Sequence, residues 1–95
     1  MIVRWTREAL TDLRDIIRYI DHRNPQAALS VKHKIIMSSR RLSDFPLSGA
    51  AVHRADARRL AVIGLPHILI YRVSNGIVKI SSVLDARMDR DIDLL

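Results

Sequence analysis

The stretch RRLAVIGLPHILIYRVSNGIVKISSVLDAR, residues 58–87, decides the fold. It contains two runs rich in branched and aromatic residues, HILIYRV (67–73) and IVKISSVL (77–84), separated by Ser74-Asn75-Gly76. Such runs favour strands, and Asn-Gly between them is the strongest local signal for a type I′ hairpin, in which both turn residues need positive φ. With Asn75 and Gly76 as the loop, Val73 falls opposite Val78, Arg72 opposite Lys79 and Tyr71 opposite Ile80. Alternation with period two then places Leu69, Tyr71, Val73, Val78, Ile80 and Leu84 on one face, which becomes the core face. Arg72 and Lys79 fall side by side on the other. Like charges directly across a strand pair repel, so this pair predicts an anion between them.

Just upstream, Arg58–Ile63 reads as a further meander strand that turns at Gly64-Leu65-Pro66. If Leu60 and Val62 point inward, Arg59 joins Arg72 and Lys79 on the open face. Arg87 completes this basic patch at the end of its segment, and Arg54, His67 and Asp85 flank it. The parity holds only if no bulge intervenes. Residues 46–57 (PLSGAAVHRADA) read as loop, and Phe45 is expected to pack back onto the core. The tail, Met88–Leu95, alternates acids with other residues and has no strong pattern.

The first half of the chain is helical. Residues 2–5 (IVRW) read as an edge strand, and Thr6 is suited to cap a helix with Glu8 in its first turn. Ala9, Leu10, Leu13, Ile16, Ile17 and Ile20 then recur at helical spacing, ending near His22-Arg23. Asn24-Pro25 caps and opens a second helix that runs to about Leu42, with Ala28, Val31, Ile35, Ser38 and Leu42 on its inner stripe. The short link makes the two an antiparallel hairpin. The order β-α-α-β-β-β predicts one α+β domain over residues 1–95, with the helical hairpin on one face of a small antiparallel sheet.

Composition narrows the partners. Sixteen Lys and Arg against ten Asp and Glu give a net charge of +6 over 95 residues, with a sequence pI near 10.8. That balance attracts polyanions and acidic protein segments. There is no cysteine, which excludes disulfides and thiolate metal sites and suits a reducing compartment. The four His residues, at 22, 33, 53 and 67, are scattered without Glu or Cys at metal-ligand spacing, so neither a metal nor another cofactor is expected. No apolar run approaches a membrane span and the N-terminus has no signal pattern, so a soluble cytoplasmic protein is expected.

An ordered set of residues resembles the RelE/ParE superfamily, the toxin halves of bacterial type II toxin–antitoxin (plasmid-stabilisation) modules. The set comprises Trp5-Thr6, Ala9, Asp12-Leu13, Ile16, Tyr19-Ile20, Asn24-Pro25, Ala27-Ala28, Leu42, Phe45-Pro46 and Gly49. It continues with Arg59-Leu60, Val62, Gly64-Leu65-Pro66, Tyr71-Arg72-Val73, Val83 and Arg87. The likeness is greatest to the ParE branch. Three positions depart from the family pattern: Ala50 follows Gly49 where an Arg is frequent, His67 stands where ParE-like chains usually have Tyr, and Asp85 stands where a His is common.

The resemblance implies a growth-blocking protein that binds DNA gyrase and is neutralised in a tight hetero-oligomer with a cognate antitoxin. It also keeps alive the RelE-like alternative, a ribosome-dependent mRNA endoribonuclease. Such an enzyme needs a general base, a general acid and cations for the developing phosphorane charge. Arg59, Arg72 and Lys79 supply cations, but Tyr71 has core parity, and no catalytic residue can be named. The enzyme reading is therefore secondary. A third reading is a degenerate, non-toxic module that only binds antitoxin, suggested by Ala50 and Asp85.

Overall fold

A computed structural model of the chain describes residues 1–52 and 56–87. The loop cation Arg54 and the acidic tail after Arg87 lie outside the described residues. The elements are β1 (Ile2–Trp5), α1 (Arg7–Asp21), α2 (Pro25–Arg41), β2 (Ala50–Ala51), β3 (Arg58–Ala61), β4 (His67–Ser74) and β5 (Ile77–Asp85). The strands form one sheet in the order β1-β5-β4-β3-β2. Its pairings are antiparallel except β1 with β5, which run parallel. The two helices pack on one face, giving the α+β architecture that the sequence indicates.

Both helices start where their capping residues dictate. Thr6 Oγ1 accepts the N–H of Ala9 at 3.1 Å, and Asn24 Oδ1 accepts that of Ala27 at 3.1 Å. These bonds satisfy donors that the first helical turn leaves open. Pro25 occupies the first turn of α2, while Arg40 and Arg41 lie at its C-terminal end, where the helix dipole favours cations.

The β4–β5 hairpin closes through Asn75 (φ 53°) and Gly76 (φ 76°), as a type I′ turn requires. Val73 pairs with Val78, Arg72 with Lys79 and Tyr71 with Ile80. Beyond this point the ladder slips: Ile70 pairs with Ser82, so Ser81 is left over as a bulge. An extra residue reverses the side-chain parity of everything after it. Val83 therefore enters the core, and Leu84 packs with Ile68, Ile70 and Ala57 on the opposite face. The expectation that Leu84 shares the core face is corrected by this one residue.

Three further expectations change. Residues 46–57 contain a short strand, β2, which pairs with β3 through Ala50↔Arg59 and Ala51↔Arg58. Phe45 is 62% exposed rather than packed inward. The inward contacts at this corner come from Pro46 and Gly49, whose backbones both bond to the Tyr71 hydroxyl. His67, expected to flank the basic patch, is only 5% exposed.

The core lies between sheet and helices. Its largest fully buried side chains are Tyr71, Ile35, Leu42, Leu69, Ile80, Val62 and Val78. Trp5, Val3, Ile16, Ile17 and Val31 pack against it. Val3 and Trp5 point toward the helices, so Arg4, between them, belongs to the uncovered face. Among the described residues no helix is long and apolar enough to cross a membrane.

Candidate functional site

Register alone assembles a basic rank on the uncovered face. Arg4 of β1 is aligned with Lys79 of β5, and Lys79 is aligned with Arg72 of β4. All three are exposed. They therefore form one line across three neighbouring strands, at the sheet spacing of about 4.8 Å per step. Each neighbour costs up to about 1 kcal/mol in bulk water, and less once salt screens it. Arg72 Nε donates to the main-chain oxygen of Asp56 at 2.7 Å, which steadies the guanidinium without neutralising it. The rank offers fixed positive charge to an anion.

The other sequence-derived candidates divide between two places. Arg59 is aligned with Ile70, one rank along on the same uncovered face. Arg87 is not part of that surface. With His67 and Asp85 it borders a cleft of about 360 Å³ whose far wall is α1, through Asp15, Ile16, Tyr19 and Ile20. Arg87 Nη2 and Nε donate to the two carboxylate oxygens of Asp85 at 2.9 and 3.2 Å, and its main-chain N–H adds a third bond at 2.9 Å. The separation follows from the bulge at Ser81, which turns Asp85 to the helix side with Val83.

The environment of this cleft shifts its charges in definite directions. Hydrogen bonding from Arg87 holds the Asp85 carboxyl below its ordinary value, and Asp85 in turn raises the Arg87 guanidinium. For His67 the desolvation of burial dominates and lowers its pKa; nearby Asp85 opposes this, and Arg87 adds to it. The imidazole is thus held toward its neutral form. Its Nδ1 is buried with no hydrogen-bond partner among the described residues.

Tyr71, the tyrosine of β4, also lies on the side of the sheet away from the cationic rank. It is fully buried, its hydroxyl donating to the Pro46 carbonyl at 2.8 Å and accepting the Gly49 N–H at 2.9 Å. A Cβ at position 49 would lie 2.7 Å from that hydroxyl and 2.8 Å from the Arg59 carbonyl, so only glycine fits. Among the described residues, no group of three or more His, Cys, Asp or Glu side chains is placed to hold a metal ion.

Arg4 is the site residue that sequence reasoning missed. The signal was partly present: in Ile2-Val3-Arg4-Trp5, an inward Trp5 forces Arg4 outward. Its neighbour was not legible, because the parallel pairing with β5 joins segments more than 70 residues apart.

A helical hairpin on one face of a five-stranded sheet is the architecture of the RelE/ParE toxin superfamily. The profile of the family described as "ParE toxin of type II toxin-antitoxin system, parDE" matches residues 3–90. The candidate toxin Y4kP of Sinorhizobium fredii (strain NBRC 101917 / NGR234) is 34% identical over 84 residues, covering 88% of this chain and 86% of the relative. A solved structure, "Chromosomal ParDE TA system from P. aeruginosa", superposes with a TM-score of 0.77 at 24% identity, covering 87% of this chain and 92% of that one. At that identity the superposition speaks for the fold. The family match spans nearly the whole chain: this protein belongs to the ParE toxin family of type II toxin–antitoxin systems.

Proposed function

We propose that this toxin arrests growth in the cytoplasm by binding DNA gyrase, and that a cognate antitoxin holds it inactive in a tight complex. The observation that carries the reading is the ParE-family match over residues 3–90. The placement of the proton-moving groups supports it. Tyr71 is locked in the core and His67 lies on the helix side, whereas Arg4, Lys79 and Arg72 line the opposite face. Among the described residues neither Tyr71 nor His67 adjoins these cations, which suits binding better than RNA cleavage. A surface of net charge +6 suits an acidic antitoxin segment.

Induction of the chain in cells tests this directly. The expected result is filamentation, a DNA-damage response and linearised plasmid, all suppressed when the antitoxin encoded beside it is co-expressed. Purified protein should then inhibit supercoiling by gyrase. Codon-phased mRNA cuts with intact DNA would replace this reading with ribosome-dependent cleavage. Unaffected growth at high expression would leave only an antitoxin-binding module.

A further inference from the structure

We infer that the rank formed by Arg4, Lys79 and Arg72 seats the sugar–phosphate backbone of duplex DNA. The rank is straight because two registers, Arg4↔Lys79 and Arg72↔Lys79, share one residue. Its ends stand about 10 Å apart, two strand spacings. All three side chains are exposed, and Arg72 is tethered through Nε to the Asp56 carbonyl. Three cations on neighbouring strands of one sheet face repel one another, and a closely spaced polyanion is the ligand that reverses that cost.

The direction of the rank separates DNA from an acidic peptide. The cations run across the strands, whereas a peptide adding to the sheet edge at β1 would run along them. Such a peptide would lie beside Arg4 alone, leaving Lys79 and Arg72 one and two strands away. A duplex lies on a flat face without needing walls, and its backbone carries charge densely enough to meet all three cations at once. The next rank toward the hairpin, Ile2, Ile77 and Ser74, carries no charge, so the cationic line ends there on that side.

This inference deepens the gyrase reading, since a toxin acting on gyrase meets DNA held by the enzyme, but its test is separate. The full chain, made by cell-free synthesis, is titrated against a fluorescent 20-base-pair duplex of arbitrary sequence, without gyrase. Binding in the micromolar range, with log affinity falling against log salt at a slope near −3, is expected for about three phosphate contacts. Arg4→Gln, Lys79→Gln and Arg72→Gln should each weaken binding about tenfold and reduce the slope by about one. Arg14→Gln on α1 removes the same charge from another surface and should change affinity less than twofold.

Circular dichroism establishes that each variant is folded, and the Gln series keeps side-chain volume on the sheet. An Arg14 variant as weak as the Lys79 variant would overturn the inference, because net charge alone would then explain binding. Absence of binding at low salt would overturn it too. So would a polyglutamate peptide that binds as tightly with the same dependence on the three residues. If DNA binding fails while gyrase is still inhibited, the rank assignment falls and the toxin reading stands; the reverse pattern discards gyrase and keeps the rank.

Discussion

The carboxylate of Asp12 on α1 accepts the main-chain N–H of Val83 on β5 at 3.0 Å. β1 ends its pairing at Trp5 opposite Ile80, so among the described residues no strand lies beside the outer edge of β5 from there on. The start of α1 supplies the missing partners. The Thr6 N–H bonds to the Ile80 carbonyl at 2.9 Å, the Thr6 hydroxyl donates to the Ser81 carbonyl at 3.4 Å, and Asp12 completes the series. One helix thereby replaces a strand and holds the bulge that assigns Val83 to the core.

Removing this anchor leaves the Val83 N–H unpaired. Asp12→Ala is expected to destabilise the fold by about 1–2 kcal/mol, whereas Asp12→Asn, which keeps an oxygen acceptor, should lose less. Urea unfolding measures both. Equal midpoints for Asp12→Ala and the parent would show that the bond contributes nothing.

The Tyr71 hydroxyl organises the Pro46–Gly49 corner. Tyr71→Phe keeps the ring but strands one donor and one acceptor, for an expected loss of about 1–3 kcal/mol. Gly49→Ala should cost at least as much, because its Cβ would meet the Tyr71 hydroxyl at 2.7 Å and the Arg59 carbonyl at 2.8 Å. Thermal melts of the two variants test this, and an alanine as stable as the glycine would contradict the geometry.

Charge reversal separates stability from function at the cationic rank. Lys79→Glu places a carboxylate between Arg4 and Arg72, converting two repulsive neighbours into attractive ones. The fold should gain about 0.5–1 kcal/mol while duplex binding is lost. A variant less stable than the parent would mean that the three cations do not repel in the folded protein.

Acid sensitivity should trace to His67. Burial lowers its pKa, so the folded state resists a proton that the unfolded chain accepts near the ordinary value of 6.5. The sign follows from linkage: His67 contributes no penalty above that value, and stability falls as pH drops below it, until the folded imidazole also protonates. The melting temperature should therefore decline on going from pH 7.5 to pH 5.5, and His67→Leu should flatten the decline. An identical decline in both proteins would assign the effect to other groups.

Much of this architecture is legible in the amino-acid sequence itself. The Asn75-Gly76 turn, the caps at Thr6 and Asn24-Pro25, and the alternation in 67–80 depend on neighbours within a few residues, so local sequence carries them. That is why Arg72 and Lys79 can be paired and put on one face from the sequence. The helical hairpin and the ParE resemblance follow from the same short-range patterns set in order along the chain.

What remained was set by contacts between distant segments. Ser81 bulges where the start of α1 takes over from β1 at the edge of β5, and the extra residue sends Leu84 outward and carries Asp85 and Arg87 to the helix side. The crossover from β1 to β5 brings Arg4 beside Lys79, the Tyr71 hydroxyl holds Pro46 and Gly49 while Phe45 stays exposed, and the packing buries His67. Periodicity records which way a side chain leans relative to its chain neighbours; it has no term for which strand arrives alongside. Only the assembled sheet supplies that term, and it turns separate charges into one rank.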